Sequence, residues 1–106
     1  MQIDRFDDVR SARVAGGRLY HEFLRRPSMS AGLYELAVGA VDPQAPHTED
    51  ELYYVISGVA RFECAGEFRD VGAGDTIFVE AGAPHRFVDI TADLSVLVVF
   101  APAEAA

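Results

Sequence analysis

Strand-forming residues recur in short runs along this chain, and all five prolines fall between the runs. Proline has no N–H to give to a ladder, so its confinement to the breaks suits strands joined by turns. Residues 33–38 place Tyr34, Leu36 and Val38 on one parity, with Glu35 opposed. Residues 59–64 alternate in the same way, with Ala60, Phe62 and Cys64 against Arg61 and Glu63. Residues 52–56 are aromatic and β-branched, and Ser57 and Gly58 are expected to close that run with a turn. Residues 18–24, 68–71, 76–79, 85–90 and 94–100 complete the set, with a hairpin turn at Ala65, Gly66 and Glu67. No segment carries a helical stripe. Short strands separated by Gly and Pro turns predict an all-β sandwich or barrel.

The 106 residues suffice for one domain with one modest core. The formal net charge of −8 argues against nucleic acid as a partner, because phosphate binding needs clustered basic residues. All nine basic residues are Arg. Six of them stand in residues 1–26 with four acids, and three stand in the rest with thirteen acids. A mildly basic arm therefore precedes an acidic body, and it either lies in solvent or packs on the body of its own or a second subunit. The expected organisation is an arm at 1–17, a barrel at 18–102 and a frayed tail at 103–106. Cys64 is the single cysteine, so no intrachain disulfide forms. The N-terminus lacks the apolar core of a signal peptide, and the longest apolar run is far too short to span a bilayer. A soluble cytoplasmic protein with no membrane partner is expected.

Two histidines sit in loops flanked by strands: His47, followed by Glu51, and His85. Two imidazoles and a carboxylate are the donors of an open mononuclear metal site. His47 and Glu51 share a parity, but four residues of flat strand span roughly 13 Å. Two side chains each about 2 Å from one ion cannot start that far apart. The chain must therefore bend at residues 48–50, with Glu49 and Asp50 expected to face water and His47 and Glu51 to turn inward.

The segment GAVDPQAPHTEDELYYVISG, from Gly39 to Gly58, closely resembles the first motif of the cupin superfamily. Gly39, His47, Glu51 and Gly58 fit its spacing, and Ala45 stands where the first motif histidine is usual. GDTIFVEAGAPHRFVD, from Gly74 to Asp89, resembles the second motif through Gly74, Gly82 and His85. Glu80 stands in place of its proline and Asp89 in place of its asparagine. The resemblance implies a cupin-type double-stranded β-helix, or jelly-roll barrel, and a homodimer. It also implies one divalent ion, Fe, Mn or Zn, on His47, Glu51 and His85. Gln44 lies beside the missing ligand and could supply an amide oxygen.

Tyr34, Tyr53 and Tyr54 are candidates to line the cavity, while Arg86 should point outward. His21 reads as a surface residue and Cys64 as a small core residue. Two classes of function are open. One is a metal enzyme, a dioxygenase or isomerase acting on a small organic substrate. The other is a non-catalytic module that binds a small ligand or metal, or keeps a metal-free pocket with paired histidines.

Overall fold

The computed structural model describes residues 1–105. Among them the chain forms one helix, α1 (Phe6–Gly16), and six strands: β1 (Tyr20–Arg26), β2 (Met29–Leu36), β3 (Asp50–Cys64), β4 (Glu67–Gly72), β5 (Thr76–Val79) and β6 (His85–Ala101). All strand pairs are antiparallel, in the order β1-β2-β6-β3-β4, with β5 also paired to β3. The expected all-β jelly-roll barrel is the fold that forms.

Closure follows from one register. Along β3, Glu51 is the Cα partner of Phe100 and Cys64 is the partner of His85. On a flat sheet the thirteen residue steps from Glu51 to Cys64 would hold Glu51 and His85 roughly 43 Å apart. Their side chains nevertheless meet at 2.9 Å, inside a molecule whose longest extent is 37 Å. The sheet therefore coils back on itself. Irregularities in the β3–β6 register between Val55 and Arg61 supply the bend.

Two sequence expectations change here. Ser57 and Gly58 do not end a strand, and residues 85–90 and 94–100 are not separate strands: β3 and β6 stay paired through the bend. At Gly58 (φ 105°) the main chain of β6 comes so close that a Cβ would lie 2.4 Å from the Asp93 carbonyl oxygen. Gly58 thus serves a close approach of two paired strands at the register shift instead of a turn.

The helix is the second correction. Only Val9 is buried on α1, so no apolar stripe announces it. Its signals are electrostatic: Asp7 and Asp8 in the first turn, Arg13 in the last, and Gly17 as a left-handed C-cap. The arm packs on the body of its own chain. Arg10 Nη2 and Arg13 Nε reach Glu35 of β2, at 2.5 and 2.9 Å.

The core lies inside the barrel around Tyr53, Val55, Phe62, Phe87, Val96 and Val98. Alternation on β3 sends Glu51, Tyr53 and Val55 inward and leaves Asp50, Leu52 and Tyr54 exposed. Among the described residues no helix is long and apolar enough to cross a membrane.

Candidate metal centre

Glu51 is the second residue of β3 and takes the inward parity that it shares with Tyr53 and Val55. The expected bend is present: residues 48 and 49 are bent and the strand starts only at Asp50. Asp50 is exposed and accepts a hydrogen bond from Ala81 N. Glu49 departs from the expectation. It is buried, because its carboxylate accepts hydrogen bonds from Thr48 Oγ1 and from Ala105 N in the tail. The backbone N–H of Gly82 donates to His47 O at 2.7 Å, which ties the loop of one motif to that of the other.

His85 opens β6 and points inward, while Arg86 is exposed beside Glu63. His85 Nδ1 lies 2.8 Å from Ala83 O, so it donates there and leaves Nε2 with its lone pair toward the interior. Nε2 stands 2.9 Å from Glu51 Oε1, and both side chains are almost fully buried. Neither atom has a hydrogen-bond partner among the described residues. One ligand atom from each of His47, Glu51 and His85 lies within 4.8 Å of the other two. Two orphaned buried atoms of ligand type, with a second imidazole alongside, match the donor set of a divalent cation. These three residues could hold one.

Neighbouring side chains position the cluster. Gln44 Nε2 donates to Asp42 Oδ2 at 2.6 Å, and Gln44 Oε1 accepts from Tyr53 Oη at 2.8 Å. The same oxygen is 3.4 Å from His47 Nε2. Gln44 therefore faces the cluster with an oxygen already engaged by Tyr53. Asp42 is buried and also accepts from Tyr34 Oη and from Phe87 N. His47 Nδ1 meets Glu104 Oε2 at 3.2 Å, and the His47 ring packs edge-on against Phe100.

A cavity of about 120 Å³ adjoins the cluster, lined by Tyr20, Tyr34, Gln44, His47, Glu51, Tyr53, Val98, Phe100 and Glu104. Tyr34 and Tyr53 line it as expected; Tyr54 does not, because its parity turns it outward. Burial first, then the Asp42 hydrogen bond, pushes the Tyr34 phenol far above its ordinary range. Burial and the charge of Glu51 do the same to Tyr53. Burial alone would lower the pKa of His85, but the Glu51 contact and the Ala83 carbonyl outweigh it and raise it. His21 and Cys64 lie outside the cavity lining.

Asp42, Glu104 and Tyr20 were not singled out from the sequence. Asp42 sits among loop residues where an acid normally meets water. Glu104 belongs to the segment expected to fray. Instead its N–H donates to Ser30 Oγ at 2.9 Å and its carbonyl accepts from Arg25 Nη2 at 2.6 Å. The tail is tied down through described residues 103–105 by these bonds.

An antiparallel jelly-roll barrel with an imidazole–carboxylate cluster beside a cavity defines the class. The cupin domain family profile matches residues 32–100, and the chain belongs to that family. It is 43% identical over 104 residues to an uncharacterised protein of Streptomyces coelicolor, covering 98% of this chain and 99% of that one. The solved structure of KdgF from Halomonas sp. is 26% identical with a TM-score of 0.71, over 78% of this chain and 76% of that one. An RmlC-like cupin from Shewanella frigidimarina shares the fold at 20% identity and a TM-score of 0.71, over 78% and 74% of the two chains.

Proposed function

We propose that this protein is a metal-dependent cupin acting on a small organic molecule, with His47, Glu51 and His85 holding one divalent ion. The observation that carries this reading is the buried approach of His85 Nε2 and Glu51 Oε1, two atoms of ligand type left without a hydrogen-bond partner among the described residues. Three protein ligands leave positions open, and Fe(II), Mn(II) and Zn(II) all suit such a set. A bound ion would supply Lewis acidity or an O₂-binding position, the basis of isomerase or dioxygenase chemistry.

The chain's own residues narrow the substrate. The cavity is smaller than the roughly 300–1,000 Å³ that drug-sized ligands occupy, so the ligand is small. Its lining has three tyrosines and no Arg or Lys among the described residues. Phosphorylated substrates are poorly served by such a wall. A neutral or singly charged compound bearing oxygen groups fits it.

A second reading has its own support: the His85–Glu51 contact and the raised His85 pKa also describe an imidazolium–carboxylate pair in a metal-free binding pocket. Elemental analysis of protein purified without a chelating tag separates the two. The metal reading expects about one ion per chain, lost in His85→Ala and in His47→Ala. Metal-free wild type after incubation with Fe(II), Mn(II) and Zn(II) would favour the pair.

The homodimer that the resemblance implies is also part of this proposal. Leu52, Tyr54 and Phe78 lie exposed and adjacent on the outer face of β3 and β5 and supply apolar area for it. Light scattering on wild type and Phe78→Asp tests it.

A further inference from the structure

Tyr20 is a cavity-lining group that neither the candidate metal cluster nor the Asp42 network employs. Tyr34 and Tyr53 give their hydroxyls to Asp42 and Gln44. The Tyr20 hydroxyl is buried and has no hydrogen-bond partner among the described residues. Polar groups in such positions are ordinarily paired, so an unpaired hydroxyl on a residue of the cavity wall calls for a partner.

The sequence places this hydroxyl through one glycine. Tyr20 is the Cα partner of Tyr34 in the β1–β2 pair, and its ring leans over Gly32, two residues along β2. A Cβ at Gly32 would lie 2.3 Å from Tyr20 Cζ and 2.4 Å from its Oη. Gly32 is not among the residues with positive φ, so its backbone does not call for glycine. The missing side chain is needed by the ring. Edge-on contacts with Tyr34 and Phe100, at 6.4 and 6.3 Å between centroids, hold that ring. Phe100 in turn packs on His47. The hydroxyl is thereby fixed relative to the candidate metal cluster.

We propose that Tyr20 binds the ligand: its Oη donates a hydrogen bond to a carboxylate or carbonyl oxygen of a small organic acid whose other oxygens sit at the metal position. The proposal rests on the metal-dependent reading above. Burial first, then the charges of Glu104, Glu22 and Glu51, holds the phenol protonated far above its ordinary range, as a donor must be. With Glu51 and Glu104 both on the cavity wall and no Arg or Lys there among the described residues, an acid would be held through the ion and the Tyr20 donor. Gly32 and Tyr20 together then act as a specificity device built from two strands.

The test uses Co(II)-loaded full-length protein with pyruvate as probe, read by the visible absorption of the ion. Wild type, Tyr20→Phe and Gly32→Ala are compared. Gly32→Ala keeps the hydroxyl but pushes it aside, since the added methyl meets only the far end of a side chain. Both variants are expected to hold the same cobalt as wild type and to bind pyruvate about 5–10-fold more weakly, the effect of one lost hydrogen bond. Tyr20→Phe binding pyruvate as tightly as wild type would overturn the role of Tyr20 and leave the metal reading intact. Loaded wild type that ignores pyruvate would overturn the ligand class. Wild type that takes up no cobalt would remove the reading beneath both.

Discussion

Nδ1 of His47 stands 3.2 Å from Oε2 of Glu104, so a residue at the end of the chain orients a candidate ligand in its first motif. An ion bound at Nε2 would leave the Nδ1 proton facing this carboxylate. That is the arrangement in which an outer carboxylate fixes the tautomer of a metal-bound imidazole. Such partners typically contribute about 10–100-fold in metal affinity. Glu104→Ala is therefore expected to weaken metal binding at least about 10-fold, with little change in melting temperature. Competition against a chromogenic chelator measures it, and equal affinities would exclude the carboxylate from the site.

The strands and the three candidate ligands were legible because each leaves a local mark. Alternation gave Glu51 and Tyr53 one face, and the reach of a metal bond required the bend before Asp50. What was not legible depends on contacts made at long range. Nothing near Gly58 says that the main chain of β6 will press against it, so a glycine serving close approach read as a turn. The α1 helix is held by Arg10 and Arg13 on Glu35, and a period of apolar residues cannot report polar contacts. Glu49 looked solvated because its partner Ala105 is distant in the chain, and Asp42 drew no notice because its partner Phe87 is distant too.

Asp42 offers a direct test of how that hidden network supports the site. It accepts from Gln44 Nε2 and Phe87 N on one oxygen and from Tyr34 Oη on the other. Asp42→Asn removes the charge from these bonds and turns its NH₂ toward Tyr34, whose hydroxyl must then accept instead of donate. A destabilisation of about 1–3 kcal/mol is expected from exchanging buried charge-assisted bonds for neutral ones. Urea unfolding measures it, and a loss under about 0.5 kcal/mol would show that the network tolerates an amide, the level of ordinary surface changes.

The helix-to-barrel contact predicts a specific pH dependence. Burial acts to raise the pKa of Glu35, but hydrogen bonds from Arg10, Ser95 and Arg13 outweigh it and lower it from the ordinary 4.5. A lowered folded pKa means stability that is complete above the unfolded value and lost as pH falls through the folded one. Glu35→Gln should thus be less stable than wild type at pH 7 by about 1–3 kcal/mol. The gap should narrow once the pH drops below about 4.5. Unfolding free energies of both proteins between pH 7 and pH 3 decide it. A gap that stays constant over that range would mean the ion pair is not its source.

Gly58 and Gly66 both have positive φ, 105° and 84°, but they differ in surroundings. A Cβ at Gly66 meets nothing within 4 Å. A Cβ at Gly58 meets Asp93 O at 2.4 Å and Leu94 Cα at 2.7 Å, both main chain and unable to swing aside. Gly66→Ala should incur only the conformational strain, about 1 kcal/mol. Gly58→Ala adds a clash with the main chain of the paired strand at the bend, so a loss of at least about 3 kcal/mol is expected, a large part of the roughly 5–15 kcal/mol typical of a domain. The bend lies between Glu51 and the end of β3 that pairs with His85, so its distortion should also loosen the candidate metal cluster. Thermal melts and metal content of the two variants test both consequences. A Gly58→Ala protein that melts with Gly66→Ala and keeps wild-type metal content would mean that the barrel closes without this close approach.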